Sequence, residues 1–289
     1  MPRPTAAARA GTLYVVATPI GNLEDITLRA LKVLKAAALV AAEDTRRTAI
    51  LLRQYDIATP VLSVHEHNER RHADLIIERL ARGESVALVT DAGTPTISDP
   101  GAYLVAEVRK AGYVVEPIPG PSAVVAALSA SGLVGEGFSF VGFVPNRLNA
   151  RKKWWAEVVE ESSKRAVVFF ETPHRLQSTL RELSSLVERP ITVCRELTKV
   201  HEEIRQDTPS NLLKQFEDPR GEFTIVIPQA KRSEAERNRP SDAEIAQEFG
   251  HITLVDPSSS RRDAIRKLAA KLGLPTKVIY ASLERAKLG

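Results

Sequence analysis

The sequence predicts two α/β domains followed by a small all-helical, helix-turn-helix-like module. From residue 13 onward, short apolar runs alternate with polar loops and helical patterns, which is typical of a largely parallel sheet with crossover helices. Glycines at positions 132, 135 and 137 interrupt this series before a second one begins. A charged, proline-terminated segment then precedes a region with helical patterns only. The predicted divisions are residues 1–125, 126–229, a linker at 230–240 and the helical module at 241–289.

The first domain is predicted to hold a series of strands, each followed by a polar loop and a helix. The strands are short continuous apolar runs, the pattern of strands that are buried on both faces. They are predicted at Leu13–Ala17, Leu39–Ala42, Val61–Val64, Val86–Val89 and Val114–Ile118. The helices follow a cap at Asp25 or Thr27, run through Leu51 and Leu52, and occupy Ala73–Leu80, Ala102–Ala111 and Ala123–Ser129.

The second domain repeats this pattern, and the C-terminal module contains helical patterns only. Strands are predicted at Phe138–Val141, Ala166–Phe170, Ile191–Cys194 and Phe223–Ile227, with Glu202–Asp207 as a further candidate. One helix is predicted through Trp154 and Val158, and Pro173 fits the first turn of another. In the module, Ser241 can cap a helix through Ile245, Ser258–Ser260 precede one with Ala264, Leu268 and Ala269, and a turn at Gly273–Pro275 leads into a helix from Thr276 to Leu288.

Composition restricts the class of protein. Of the 289 residues, 43% are hydrophobic and 26% are charged, so a globular chain is expected rather than a disordered one. The only cysteine is Cys194, which excludes a disulfide framework and a thiolate metal cluster. No apolar run reaches the length of a membrane span. These observations predict a cytoplasmic protein that does not associate with membranes.

The formal net charge of +4 lies entirely in the C-terminal region. Residues 231–289 hold 12 Lys and Arg against 8 Asp and Glu, whereas residues 1–230 hold 28 of each kind. Basic residues gathered in one terminal module favour a polyanionic partner such as nucleic acid. A solvated helix face is the alternative explanation.

A candidate ligand loop follows the fourth predicted strand, in the stretch VALVTDAGTPTISDPG at Val86–Gly101. Ligands bind beyond the carboxyl ends of strands in open α/β sheets, so Asp91–Asp99 is predicted to contact one. An ordinary βα connection is the alternative. The patterns G-x-x-x-x-G-K-S/T, G-x-G-x-x-G and G-x-S-x-G are absent, which disfavours the usual nucleotide-binding and serine-hydrolase chemistry. His65 and His67 lack a third ligand, so no metal site is predicted.

Several sequence blocks together resemble one family. They are LYVVATPIGNLEDITLRAL, AAEDTRRT, VTDAGTPTISDPG, PIPGPSAVVAALSASG, FVGFVP, FFETPHR, CRELTKVHEE and GEFTIVI. In this order, over residues 12–228, they are similar to the tetrapyrrole-methylase superfamily of S-adenosylmethionine-dependent methyltransferases. Within it they resemble the branch that methylates the ribose 2′-oxygen of a cytidine in small-subunit (16S) ribosomal RNA. The glycine-rich and Gly-Asp-Pro loops of the tetrapyrrole enzymes read here as ATPIGN and Gly93-Thr94-Pro95, which favours the RNA branch.

The resemblance implies two α/β domains with S-adenosylmethionine bound in the cleft between them. It also implies a homodimer that acts on small-subunit ribosomal RNA or on the assembled small subunit. The cofactor contacts that it implies come from Ile20, Gly93, Thr94, Ile97, Ser98, Asp99, Ser122, Ala123, Phe170 and Thr224. Two other functions stay open: a sibling methyltransferase that acts on a small molecule or a protein residue, and a non-catalytic nucleic-acid-binding protein.

A general base is expected because methyl transfer to a hydroxyl requires loss of its proton. Among the polar groups at predicted strand ends, Asp44 and Glu171 are the selected candidates. Other candidates are His65, His67 and His174. For each carboxylate the alternative is a helix cap or an ion pair, with Arg46 for Asp44 and with Arg175 for Glu171.

Two surfaces are predicted to hold RNA. The first places Arg147, Arg151 and Lys152 beside Trp154 and Trp155, since basic groups bind phosphate and aromatic rings stack on splayed bases. A core position for the two tryptophans is the alternative. The second surface is the basic tail, with Arg261, Arg262, Arg266, Lys267, Lys271 and Lys277.

Overall fold

The computed structural model describes residues 10–132, 137–230, 240–255 and 260–286. Contacts divide the chain into two compact units, Met1–Ala230 and Lys231–Gly289. Most of the predicted linker, together with Ser258 and Ser259, lies outside the described residues. None of the helices in the described ranges is both long and apolar enough to cross a membrane.

The first sheet is entirely parallel, with the strand order β3-β2-β4-β1-β5. Every residue of β2 and β4 is buried, as their continuous apolar sequences predict, and both strands lie inside the sheet. All five predicted strands are present, with ends shifted by no more than a single residue. The strands are β1 (Thr12–Val16), β2 (Leu39–Ala42), β3 (Val61–Ser63), β4 (Val86–Val89) and β5 (Val114–Ile118).

Four helices cover the two faces of this sheet: α1 (Leu28–Ala36), α2 (Thr45–Gln54), α3 (Glu69–Ala81) and α4 (Ala102–Lys110). Helices α1 and α2 contribute Leu34 and Leu51 to the core on one face. Helices α3 and α4 contribute Ile76 and Leu104 to the core on the other. Helix α3 begins at Glu69 rather than at the predicted Ala73. The buried Glu69 carboxylate accepts a 2.6 Å hydrogen bond from the Leu104 N–H, which joins the start of α3 to the start of α4.

Helix α5 (Ala123–Ser131) follows β5 in the chain but packs against the second sheet. Its residues Val124 and Ala127 are buried in one apolar cluster with Val168 and Val226 of that sheet. The boundary predicted between residues 125 and 126 therefore falls inside α5. Helix α5 links the two sheets, because it continues from a strand of the first and packs on a face of the second.

The second sheet is mixed, with the order β6-β7-β10-β8-β9. Only β6 and β7 are parallel; the pairs β7–β10, β10–β8 and β8–β9 are antiparallel. One face packs under α6 (Leu148–Lys164), α7 (Pro173–Ser184) and α8 (Pro209–Gln215), and the other face meets α5. The α/β fold class is thereby confirmed. The strands are β6 (Phe138–Phe143), β7 (Ala166–Glu171), β8 (Ile191–Arg195), β9 (Glu203–Asp207) and β10 (Phe223–Ile227).

The described part of the C-terminal unit consists of α9 (Asp242–Val255), α10 (Arg261–Leu272) and α11 (Thr276–Arg285). Its core is formed by residues at helical spacing, among them the fully buried Ile245, Leu268 and Ile279. The Ser241 hydroxyl accepts from the Glu244 N–H at 3.2 Å while the Glu244 carboxylate accepts from the Ser241 N–H, which is a capping box. The predicted end at Leu288 lies outside the described residues.

Candidate active site

A cavity of about 370 Å³ lies between the carboxyl ends of the first sheet and the second sheet. The first sheet contributes the loops that follow β1, β4 and β5. The second contributes strand ends and the turns that follow them. The lining residues are Ile20, Ala92, Gly93, Thr94, Ile97, Ser98, Asp99, Ser122, Ala123, Val124, Phe143, Phe170, Glu171, Thr172, Pro173, Cys194, Leu197, Glu222, Phe223 and Thr224.

A short bridge joins the loops after β1 and β4. The Thr18 N–H donates to the Gly93 carbonyl at 2.9 Å, and the Gly93 N–H donates to the Thr18 carbonyl at 3.1 Å. The Thr18 hydroxyl also donates to the Thr90 carbonyl at 3.0 Å. Gly93 has a φ of 80°, which favours glycine. Thr94 directly follows Gly93, and Ile20 lies two residues after Thr18, so the bridge helps to place both at the cavity wall.

The loop between Thr94 and Gly101 holds strained backbone. Thr96 and Ser98 have φ values of 74° and 65°, a region that side chains other than glycine rarely adopt. Each such residue costs on the order of 1–3 kcal/mol, and strain of this kind collects where a ligand is held. Gly101 ends the loop with a φ of 116°, a conformation in which any other residue would be strained. The strain favours the ligand-loop prediction over a simple connection.

Asp99 is the acidic group on this wall. Burial, together with the charge of Glu43, raises the pKa of its carboxyl to about 6. Nearby, the Glu43 carboxylate accepts from the Thr90 hydroxyl at 2.6 Å. Asp91 does not line the cavity; its carboxylate accepts from the Asp44 N–H at 3.1 Å and pairs with Arg47 at 3.6 Å. Asp91 thus supports the strand ends, and Asp99 faces the ligand space.

The opposite wall is a row of side chains on one face of the second sheet. Thr224 of β10 is directly paired with Phe170 of β7 and with Cys194 of β8, so the three side chains point the same way. Burial raises the pKa of the Cys194 thiol to about 11, so it is protonated at neutral pH and supplies apolar surface, not a nucleophile. The Phe170 ring packs edge-on against Phe140 with centroids 4.8 Å apart.

The loops after β1 and β8 touch at the side of the cavity. The Asn22 N–H donates to the Thr198 hydroxyl at 3.0 Å. A Cβ on Gly21 would lie 2.4 Å from Lys199 Cγ, so only glycine allows this approach. Lys199 is itself held by Glu196 at 2.8 Å and by Glu222 at 2.9 Å. This contact fixes the two halves of the cavity against one another.

The structure brings together the residues predicted to bind the cofactor: all ten line this one cavity. The cavity has further lining residues that were not predicted to contact the cofactor. Ala92, Val124, Thr172 and Phe223 are direct neighbours of predicted ones, so the same motifs could have indicated them. Cys194, Leu197 and Glu222 lie in the quoted blocks CRELTKVHEE and GEFTIVI, but their place on the wall depends on sheet pairing and on the turn after β8.

Asp44 caps α2. Its carboxylate accepts from the Arg46 N–H at 2.8 Å and pairs with the Arg46 guanidinium at 2.7 Å. The hydrogen bond from the Arg46 side chain lowers the pKa of Asp44 to about 2, and Asp44 is not among the lining residues. So weak a base outside the cavity is a poor proton acceptor. The geometry favours the alternative of a helix cap paired with Arg46.

Glu171 lines the cavity but is occupied by partners. Its side chain is fully buried, and one carboxylate oxygen accepts from the Thr172 N–H at 2.7 Å and pairs with Arg175 at 2.8 Å. The other oxygen accepts from the Thr179 hydroxyl at 2.6 Å. Arg175 also donates to the Val144 carbonyl at 2.8 Å. This network joins the β7–α7 turn to the end of β6, which favours the ion-pair alternative for Glu171.

The first predicted RNA surface needs correction. Arg151 is only 11% exposed, because its guanidinium donates to Glu182, Ser178 and Thr179 at 2.8–3.2 Å. Trp155 is buried in the core, and Trp154 packs against that core. Arg151 and Trp155 therefore stabilise the packing of α6 on α7 and do not present groups to RNA. Arg147 and Lys152 are exposed, as predicted.

No metal centre is formed in the described ranges, where no group of three or more His, Cys, Asp and Glu side chains could hold an ion. His65 and His67 lie in the turn before α3, with ring centroids 5.9 Å apart. The His65 ring lies 3.1 Å from the Asn68 side-chain nitrogen. The two histidines belong to a polar turn.

Comparison with known proteins identifies the class. Residues 12–213 match the family model described as Tetrapyrrole (Corrin/Porphyrin) Methylases, so the chain belongs to this family of methyltransferases. The resemblance read from the sequence is thereby confirmed.

Several relatives share one name, ribosomal RNA small subunit methyltransferase I. The protein of that name from Halalkalibacterium halodurans is 41% identical over 274 residues, covering 93% of each chain. The protein of that name from Synechocystis sp. is 41% identical, covering 93% of this chain and 96% of its own. The one from Bacillus subtilis is 40% identical, covering 93% of each chain.

Solved structures share the fold at low identity. A uroporphyrin-III-C-methyltransferase from Thermus thermophilus has a TM-score of 0.56 at 23% identity, covering 76% of this chain and 94% of its own. Another structure of a Thermus thermophilus uroporphyrin-III C-methyl transferase, complexed with S-adenyl homocysteine, has a TM-score of 0.54 at 20% identity, covering 75% of this chain and 97% of its own. A diphthine synthase has a TM-score of 0.59 at 17% identity, covering 77% of this chain and 92% of its own.

Proposed function

We propose that this protein is an S-adenosylmethionine-dependent methyltransferase that methylates the ribose 2′-hydroxyl of a cytidine in small-subunit (16S) ribosomal RNA. The observation that carries the proposal is the convergence of all ten motif residues on one cavity. The relatives named ribosomal RNA small subunit methyltransferase I support the RNA substrate. The structure solved with S-adenyl homocysteine supports the cofactor.

The lining residues suit this cofactor chemically. A cavity of about 370 Å³ is in the range of small-molecule sites. Asp99 supplies a carboxylate for a cationic group, the strained loop around Ser98 presents backbone polar groups, and Ile20, Val124 and Leu197 supply an apolar wall. When bound, S-adenosylmethionine supplies a methyl group activated by its sulfonium.

The protein's own contribution is alignment and exclusion of water. The bridge between Thr18 and Gly93 holds together two loops of the first wall, and the contact of Gly21 with the loop after β8 joins that wall to the second. Alignment of two reactants can supply about 7–11 kcal/mol of a barrier in favourable cases. Phe170 and Leu197 keep apolar surface against the cavity. Asp44 and Glu171 are both paired with arginines. We therefore expect alignment of the two reactants to be the main contribution of this site to catalysis.

The test of this function is transfer of a tritiated methyl group from S-adenosylmethionine to small-subunit RNA. RNA from cells that lack the protein, or assembled subunits from those cells, is expected to accept label that digestion identifies as 2′-O-methylcytidine. RNA from wild-type cells is the matched control and is expected to accept none, because its site is already modified. Label in small molecules or protein instead would establish the sibling function. Absence of cofactor binding by calorimetry would favour the non-catalytic one.

The helical module is proposed to hold RNA through its unpaired cations. Arg261 pairs with Glu284 and Lys271 with Glu248, each at 2.6 Å, and Arg266 pairs with Asp263 at 3.4 Å. Lys267 also interacts with other groups of the protein. Arg262 and Lys277 are exposed and have no ion pair with any described residue. These two are therefore the residues of the predicted basic tail that are available to phosphate.

Replacing Arg262 and Lys277 together by glutamine is expected to weaken RNA binding and to reduce its salt dependence. Each lost phosphate contact lowers the slope of log K against log salt by roughly 0.7–0.9. Filter binding at several salt concentrations measures the slope. The control is the double replacement of Arg29 and Lys32 by glutamine, which removes the same charge from the exposed side of α1. An unchanged slope in the tail variant would contradict this role.

The homodimer and the cytoplasmic location also belong to the proposal. The homodimer rests on the family resemblance, and the location rests on the composition of the sequence. The dimer is tested by measuring the mass of the protein in solution by light scattering.

A further inference from the structure

Strand β6 contains a bulge at the rim of the cavity. Phe140 is opposite Val168 on β7, but Phe143 is opposite Phe170, so the β6 side of this interval holds an extra residue. Gly142 lies within this interval with a φ of 71°, a conformation that glycine adopts without strain. Bulges of this kind re-aim a side chain and are common beside functional sites.

The bulge decides which face Phe143 occupies. Side chains alternate between faces along a strand, so without the extra residue Phe143 would share the face of Val141, which packs against the core under α6 and α7. With the bulge, Phe143 lies on the cavity face with Phe140 and Phe170. Its ring centroid is 5.3 Å from that of Phe170.

Phe143 is an exposed aromatic ring at the cavity mouth. It lines the cavity and yet remains 48% exposed. Ile97, on the loop after β4, is a second lining residue with an exposed apolar side chain, at 47%. A Cβ on Gly142 would lie 3.7 Å from Ser98 Oγ, so the bulge approaches the loop that carries Ile97. Phe143 and Ile97 are therefore two half-exposed apolar side chains that line the cavity, whereas Ile20 and Val124 are buried in its wall.

Unpaired positive charge follows Phe143 in the chain. Arg147 precedes α6 and Lys152 lies in its first turns; both are exposed and form no ion pair with a described residue. Lys153 is already paired with Glu157 at 3.6 Å. Arg147 and Lys152 follow the Phe143 ring by four and nine residues in the chain. Aromatic rings and available cations together hold single-stranded RNA, because the ring stacks on a base while the cations bind phosphates.

We propose that Phe143 stacks on the base of the target nucleotide, which is splayed out of the RNA into the cavity mouth between Phe143 and Ile97. Arg147 and Lys152 hold the neighbouring phosphates. This inference rests on the proposed RNA methyltransferase function and extends it to the residue that positions the acceptor. Phe143 thereby takes the stacking role that the sequence pattern had indicated for Trp154 and Trp155, whose rings lie in or against the core.

The test compares Phe143→Ala, Phe143→Tyr and Phe138→Ala. Phe138 lies on the same strand, is 45% exposed and does not line the cavity, so it is a matched control. Phe143→Ala is expected to raise the KM for RNA by about 5- to 150-fold, the usual cost of one lost stacking contact, and to leave the Kd for S-adenosylmethionine unchanged. Phe143→Tyr keeps a stacking ring and is expected to retain the wild-type KM.

Two results would overturn the inference. One is an unchanged KM for RNA in Phe143→Ala. The other is an equal loss of cofactor affinity, which would assign the ring to the cofactor site. A wild-type protein that transfers no methyl group to small-subunit RNA would instead overturn the proposed function, and this inference with it. Kinetics of the wild type therefore separate the two failures, since the variants are compared only when it is active.

Discussion

Asp99→Asn is expected to weaken S-adenosylmethionine binding by roughly 10- to 150-fold at a pH well above 6, as measured by calorimetry. That range corresponds to the loss of one charge-assisted hydrogen bond, about 1.5–3 kcal/mol. Asp99 is the acidic side chain among the predicted contacts, and it lies on the strained loop that forms one cavity wall. Asparagine has nearly the same shape, so the variant tests charge rather than packing.

The pH dependence of binding follows from the pKa of Asp99. Burial and Glu43 raise this pKa to about 6 in the free protein. A cationic group binds the ionised carboxylate, so affinity is expected to be highest above pH 6 and to fall as the pH drops through 6. The asparagine of Asp99→Asn cannot ionise, so the cofactor affinity of this variant is expected not to change as the pH passes through 6. Asp91→Asn is the control, because the Asp91 side chain lies outside the cavity lining. This variant is expected to keep the wild-type cofactor affinity and its fall as the pH drops through 6.

The raised pKa of Asp99 gives the stability of the free protein a pH dependence opposite to that of cofactor binding. Because the folded-state pKa lies above the ordinary value of 3.8, the carboxyl stabilises the free fold fully below pH 3.8, and this contribution is lost as the pH rises through about 6. Free Asp99→Asn is therefore expected to gain stability relative to wild type above pH 6 while it loses cofactor affinity. Equal affinities for wild type and Asp99→Asn above pH 6 would exclude a direct contact.

Glu171→Ala is expected to lower the free energy of unfolding by about 3–5 kcal/mol, as measured by urea denaturation. Removal of one partner of a buried ion pair leaves the other charge uncompensated. Here Arg175 would lose its 2.8 Å partner, and the Thr179 hydroxyl would lose a 2.6 Å acceptor. Glu160→Ala removes an exposed carboxylate that pairs with Lys164 and is the control, with little change expected.

Glu171→Gln separates a positioning role from a catalytic one. Glutamine keeps an acceptor for Thr172 or Thr179, so the turn that lines the cavity is expected to stay in place and single-turnover methyl transfer to remain near the wild-type rate. Loss of a general base would instead slow transfer by roughly 10²–10⁴-fold. A loss of that size in a stably folded Glu171→Gln protein would restore Glu171 as the base.

Local sequence pattern was sufficient for the elements that build the first wall. Strands β2 and β4 are continuous apolar runs, and such runs identify strands that are buried on both faces without knowledge of their neighbours. Ligand loops follow at the carboxyl ends of parallel strands by topology alone. The resemblance then selected Thr94, Ile97, Ser98 and Asp99 from the loop after β4, and these four line one cavity.

The partners of Arg151 could not be predicted from the local sequence pattern. Its sequence neighbours are basic and aromatic, which indicates a binding surface, yet its guanidinium is used by Glu182 and Thr179 from α7. Those acceptors lie about thirty residues away in the chain and meet Arg151 only because α6 and α7 pack on the same face of the second sheet. Whether a charged side chain is free or engaged depends on such distant partners.

By itself, then, the sequence determined the class of fold, the parallel strands of the first sheet and the motif residues of the cavity. These depend on apolar periodicity and on short motifs, which are local. Only the tertiary structure decided that α5 packs on the second sheet, that Asp44 and Glu171 are engaged by arginines, and that the bulge at Gly142 turns Phe143 to the cavity. The packing of α5 and the bulge depend on pairing register and side-chain packing between segments far apart in the chain, which no local pattern records. The two arginines are near neighbours in the chain, so the sequence offered both ion pairs as alternatives, and the side-chain geometry decided in their favour.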